Sequence, residues 1–80
     1  MSGIYEAIER LPDNPANKII WVCYNEAMTK SARALISLIK GEDYLRNCDV
    51  VSRDNLDPNE PNVSVYYSPD LYDHIGNGAN

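Results

Sequence analysis

Ile19-Ile20-Trp21-Val22-Cys23-Tyr24 is the stretch that most limits what this chain can become. Its side chains are mostly β-branched or aromatic, which favours an extended backbone. The run does not alternate with polar residues, so a strand built from it must be covered on both faces. It is also far too short to cross a bilayer, which takes roughly 20 apolar residues. The run therefore predicts the central strand of a sheet.

A helix should follow at once and cover one face of that strand. Asn25 can cap it, and Glu26 suits the positive end of its dipole. Met28, Ala32, Leu35, Ile36 and Ile39 form an apolar stripe, with Lys30, Arg33, Ser37 and Lys40 on the polar side and Gly41 placed to end the helix. Upstream, Ile4, Ala7, Ile8 and Leu11 predict an amphipathic helix of about three turns, capped by Ser2 and stopped by Pro12. Asp13-Asn14-Pro15 is a turn cluster leading into the strand.

Downstream, residues 42–47 connect to a short second strand, Cys48 to Ser52. Residues 53–62, with Pro58 and Pro61, read as an exposed loop, and Val63 to Tyr67 as a third strand that can stand at an edge. Ser68-Pro69-Asp70 resembles a cap with Pro at the first helical position, opening a helical turn through Leu71, Tyr72 and Ile75 before a tail, 76–80, that should fray. The expected fold is a small single α/β domain, with α+β character, spanning residues 1–80. Its order is α-β-α-β-β, with a three-stranded mixed sheet, two helices and a short C-terminal helical turn. The third strand is expected to pair antiparallel with a neighbour. The helices can share one face, the other being covered by the tail or by a partner.

Charge narrows the partners. Twelve acids against seven bases give a net charge of −5. A chain this acidic is not expected to bind nucleic acid directly by counterion release, nor an anionic membrane. The N-terminus lacks the basic region and apolar core of a signal peptide. Two cysteines are too few for a secreted disulfide framework. A soluble, cytoplasmic protein is the expectation.

Recognisable chemistry is sparse. Tyr24-Asn25-Glu26-Ala27, at the strand-to-helix turn where phosphate loops occur, has no Gly and places a carboxylate where an anion would sit. Cys23 and Cys48 lie within strands, where packing is the ordinary role; a reactive thiol needs access and a depressed pKa. They could also face each other across adjacent strands. Asp70 and His74, with Asp73 between them, could form a two-ligand corner, short of the three or four ligands zinc requires. Surface decoration near the terminus is the competing account. Asp49 is the one acid expected to be partly buried, unless alternation turns it to solvent. No Ser has a nucleophile elbow. No enzyme, cofactor or metal is expected.

The charge layout says more. Residues 27–40 carry Lys30, Arg33 and Lys40 and no acid, so the negative excess lies elsewhere. Either these bases neutralise nearby acids on a solvated helix, or the surface is polarised, with a secondary basic face opposite an acidic, Tyr-bearing side. On the second account the partner-binding residues are Tyr44, Tyr66, Tyr67 and Tyr72 as anchors, with Asp54, Asp57, Glu60, Asp70 and Asp73 as steering charges. The expected function is a small acidic, non-enzymatic interaction protein, an inhibitor or regulator of the kind phages and mobile elements encode. It would bind a protein with a basic surface, and acids spaced along its own surface can imitate a phosphate backbone. One alternative is a homodimer or larger homo-oligomer that closes its sheet by self-association. Another is a ligand or metal binder using His74 and nearby acids.

Ile-Ile-Trp-Val-Cys-Tyr-Asn followed by a basic amphipathic helix resembles an inner βα unit of P-loop translocases. Val-Tyr-Tyr-Ser-Pro-Asp-Leu-Tyr-Asp-His-Ile-Gly is similar to a later strand and turn of the same proteins. The resemblance covers about half the chain and none of the nucleotide-binding residues. It implies an α/β fold without ATPase activity.

Overall fold

Residues 3–71 are described by a computed structural model. Helix α1 (Gly3–Glu9) leads to strand β1 (Lys18–Cys23) and helix α2 (Glu26–Lys40). A 3₁₀ segment (Glu42–Asn47) precedes β2 (Cys48–Ser52), and a 3₁₀ turn (Arg53–Asn55) opens the connection to β3 (Val63–Tyr67). The strands lie in the order β2-β1-β3, and β1 is parallel to both neighbours.

This overturns the mixed sheet and the plain α-β-α-β-β order expected from the sequence. The sheet is all parallel, and 3₁₀ segments flank β2. A parallel crossover ordinarily takes a dozen or more residues, usually with an α-helix, and the connection to β3 has neither. An extended chain, however, covers roughly 3.3–3.6 Å per residue. Residues 53–62 can therefore run back along a five-residue strand, about 17 Å, and across two strand spacings of about 4.8 Å each. Asn62, at φ 58°, turns the chain into β3 in a left-handed conformation that Asn tolerates better than most residues.

Handedness explains how both faces of β1 are covered. The first connection passes through α2 to reach β2 on one side of β1. The second must return past β1 to the other side, and a right-handed crossover in the reverse direction passes over the opposite face. Leu56, within that connection, packs there with Ile20, Val22, Val51, Val63 and Leu71. Under the helices, Ile19, Trp21 and Cys23 pack with Ile8, Leu11, Ala32, Ile36, Cys48 and Val50. Full burial of a side chain such as Ile19 or Val22 contributes about 1.5–3 kcal/mol.

The helix ends are fixed by specific groups. Asn25 Oδ1 accepts the Met28 N–H at 3.0 Å, and the Gly41 N–H donates to Ser37 O at 2.9 Å, with Gly41 at φ 98°. Helix α1 stops at Glu9, short of the three turns its apolar spacing predicts. Its exit is held by α2: Lys40 Nζ donates to Leu11 O at 2.7 Å and to Glu9 O at 3.3 Å. The predicted cap Ser2 and the predicted tail, including Tyr72, Asp73, His74 and Ile75, lie outside the described residues.

Candidate functional site

An open parallel sheet binds ligands outside the carboxyl ends of its strands, at the point where successive connections depart in opposite directions. Here that point lies above β1, beside β3. Three segments meet there: Tyr24-Asn25-Glu26 after β1, Arg53-Asp54-Asn55 after β2, and Ser68-Pro69-Asp70 after β3.

These groups hydrogen-bond chiefly to one another. The Tyr24 N–H donates to Asp70 Oδ2 at 3.3 Å, and Ser68 Oγ donates to Asp70 Oδ1. Arg53 Nε donates to Tyr24 O at 3.1 Å, and its guanidinium lies 4.3 Å from the centre of the Tyr24 ring. Asn55 Nδ2 donates to Glu26 Oε2 at 2.6 Å. The start of α2 favours negative charge. The chain meets that preference with its own carboxylates, Glu26 in the first helical turn and Asp70 on the amide just before the cap.

Below this layer lies Cys23. Burial pushes its thiol up to about 12, and the nearby Asp70 charge acts in the same direction. Trp21 Nε1 is itself buried and has no hydrogen-bond partner among the described residues. Cys48 is pushed up to about 11, again chiefly by burial. Both cysteines are free. They do not face each other, because the register sets Cys48 opposite Ile19 and Cys23 opposite Ser52. Among the described residues there is no pocket, no group of three or more His, Cys, Asp or Glu side chains arranged to hold a metal ion, and no helix long and apolar enough to cross a membrane.

The chain matches no protein-family model, no curated protein and no solved structure. The resemblance to P-loop translocases therefore gains no support from them, and its functional reading rests on the chain's own residues.

Of the partner-binding residues expected from sequence, Asp70 alone joins the carboxyl-end cluster through a described contact. Asp54 stands exposed in the adjoining 3₁₀ turn. Asp57 is exposed and accepts the Asn59 N–H, while Glu60 is paired with Lys18 at 3.2 Å at the far end of the sheet. Tyr66 packs toward the helices; Tyr67 is exposed on the other face. Tyr44 is half-buried, donates its hydroxyl to Pro12 O at 2.6 Å and has its ring centre 5.8 Å from Lys40 Nζ. Tyr72, Asp73 and His74 lie outside the described residues.

The basic residues part company in the same way. Lys30 is exposed, Arg33 Nη2 donates to Val50 O at 3.4 Å, and Lys40 is turned inward. Asp49 is exposed and pairs with Lys18 at 2.7 Å. Sequence reasoning missed Arg53 and Asn55. Both reach partners brought close only by the sheet, so no local spacing marks them. The one signal was Ser68-Pro69-Asp70, which reads as a turn and also supplies the carboxylate.

Proposed function

We propose that this chain is a small acidic, non-catalytic interaction domain that binds another macromolecule through a basic surface of that partner. The observation that carries this reading is an imbalance in how charges are spent. Lys40 is held by Asp13 and the carbonyls that end α1, Lys18 lies between Asp49 and Glu60, and Arg53 is committed to Tyr24. Glu6, Glu9, Glu42, Asp54 and Asp57 are exposed with no ion pair among the described residues. Against these five acids stand Arg10 and Lys30, exposed and without an ion pair among the described residues, and Arg33, exposed but donating to Val50 O. The outward field thus keeps the acidic sign of the net charge, and such a field favours encounter with basic surfaces.

The carboxyl-end cluster supports the same reading. Its hydrogen-bonding groups are engaged with one another, as in a scaffold. The role that suits such a domain is a regulator or inhibitor occupying a surface that would otherwise meet nucleic acid. The test is affinity capture on the tagged full chain from its native cells, with a salt titration of the recovered complex. The expected partner carries a basic patch, is released as salt rises, and is recovered poorly on the Asp54→Lys, Asp57→Lys double variant. Recovery insensitive to both salt and charge reversal would sink the proposal.

A further inference from the structure

The two edges of the sheet are not equivalent. Along a parallel strand the N–H and C=O groups of one residue point the same way, and the direction alternates from residue to residue. On β2 the outward groups belong to Cys48, Val50 and Ser52. Two of them are met: the Cys48 N–H donates to Leu45 O in the preceding 3₁₀ segment, and Val50 O accepts from Arg33. On β3 the Ser68 N–H donates inward to Val22 O at 2.8 Å, which fixes the phase. The N–H and C=O groups of Val63, Val65 and Tyr67 therefore point outward, and no described group meets them.

The usual guards of an edge strand are missing from β3. Val63–Tyr67 contains no Lys, no Pro and no charge of any kind. Its exposed side chains are apolar or aromatic: Val65 is 39% exposed and Tyr67 48%, on the face that also carries Ile20 and Val22. Arriving strands would extend that apolar strip as well as the hydrogen-bond ladder.

Charge selects among occupants. Asp57, exposed and without an ion pair among the described residues, and Glu60, which shares Lys18 with Asp49, precede β3, Asp70 follows it, and the whole chain carries −5. A second copy would bring the same acids against these. A segment bearing Lys and Arg would be attracted by them. We infer that the outer edge of β3 accepts an extended basic segment of the partner as a fourth strand, with main-chain hydrogen bonds at Val63, Val65 and Tyr67. This rests on the acidic-interaction reading above and specifies where and how the contact is made.

The probes are a synthetic peptide of about seven residues, a usual strand length, alternating Lys or Arg with Val or Thr, and its counterpart with Glu for every base. The readout is amide hydrogen exchange by NMR on the full chain, with affinity from the same titration. The basic peptide should slow exchange at Val65 and Tyr67, and the acidic one should not. Val65→Pro removes only an outward N–H, so the ladder to β1 survives; it should weaken binding about fivefold or more, the effect of one lost backbone hydrogen bond. Val65→Lys is the second variant and should weaken it too, by repulsion.

Binding of the basic peptide without protection at Val65 and Tyr67, and unaltered in both variants, would overturn the edge assignment while leaving the acidic-surface reading in place. Failure of the basic peptide to bind at all would remove both. Amides protected in the free chain at every concentration would assign the edge to residues 72–80, and protection that grows with protein concentration would assign it to a second copy; either result overturns the inference.

Discussion

Lys40, the last residue of α2, sets its Nζ 2.7 Å from the main-chain oxygen of Leu11, just beyond the end of α1. The same ammonium reaches Glu9 O at 3.3 Å and Asp13 Oδ1 at 2.8 Å. Helix α1 has only seven residues and no base in its last turn. Its unsatisfied carbonyls and the negative end of its dipole are instead served by a lysine from the neighbouring helix.

Removing that ammonium should therefore loosen α1 as a unit. The Lys40 side chain is only 9% exposed, so Lys40→Met leaves carbonyl oxygens without their donor in a sheltered place. A loss of about 1.5–3 kcal/mol in urea unfolding is expected. Asp13 is 84% exposed, and Asp13→Asn should cost clearly less. Equal losses in the two variants would mean that the ion pair, and not the carbonyl contacts, fixes the helix.

The Lys40 hydrogen bond and charge hold the Asp13 carboxyl below its ordinary 3.8. A carboxylate whose folded pKa is depressed contributes stability above its unfolded pKa, and that contribution is lost as the pH falls through the folded value. Wild-type stability should thus decline more steeply below about pH 4 than that of Asp13→Asn. Urea midpoints measured between pH 5 and pH 2 would check this, parallel curves being the contrary result.

The cysteines give a second pH dependence, of opposite sign. Burial raises the Cys23 and Cys48 thiols to about 12 and about 11, from an ordinary 9.0. Above that ordinary value the unfolded chain gives up thiol protons that the folded chain keeps, so stability falls as the pH rises. The native thiols should react with a disulfide reagent at pH 8 only as fast as the chain opens, and rapidly in urea. Fast native labelling at either position would show an accessible thiolate and defeat this prediction.

How much of this was legible beforehand depended on how far each interaction reaches along the chain. The unalternating run at 19–24 announces a strand covered on both sides, and Asn25 and Gly41 bracket α2 because capping is a contact between residues a few positions apart. Parallel pairing of β3 could not be read, since nothing in Val-Ser-Val-Tyr-Tyr records strand direction. The direction depends on whether residues 53–62 are stretched enough to cross the sheet. The carboxyl-end cluster was half visible: Ser68-Pro69-Asp70 marks its own turn, but Arg53 finds Tyr24, and Asn55 finds Glu26, only after the sheet forms. Lys40 looked like part of a solvated basic face because helical spacing says nothing about which neighbour a long side chain will reach.

The crossover itself can be tested at Lys18, which joins β1 to Asp49 on β2 at 2.7 Å and to Glu60 at the end of the connection at 3.2 Å. Those two carboxylates raise the lysine above its ordinary 10.5. A lysine whose folded pKa is raised contributes stability that is complete below the unfolded value and disappears as the pH rises through the folded one. Lys18→Met should remove that part of the alkaline loss, and should speed hydrogen exchange at the Glu60 amide, which closes the turn onto Asp57 O at 3.3 Å. The cysteines lose stability over an overlapping range, so the comparison belongs in a background of Cys23→Ala and Cys48→Ala. If Lys18→Met leaves both the alkaline curve and the Glu60 exchange rate unchanged in that background, the crossover is held by Leu56 and its apolar neighbours alone.

Asp70 offers the sharpest test of the carboxyl-end cluster, because one side chain accepts from two segments. Asp70→Ala deprives the Tyr24 N–H and the Ser68 hydroxyl of their acceptor at a place where Ser68 is fully buried. A loss of about 1–3 kcal/mol is expected in chemical denaturation. Asp70→Asn keeps one acceptor oxygen and removes the charge, so it should lose less. The neighbouring thiol adds a readout that a general loss of packing would not give. The Asp70 charge helps hold Cys23 protonated, so Asp70→Asn should lower the thiol pKa from about 12, followed by thiolate absorbance in the folded chain carrying Cys48→Ala. A Cys23 titration unmoved by Asp70→Asn would mean that burial alone sets that thiol, and that the carboxylate acts only through its hydrogen bonds.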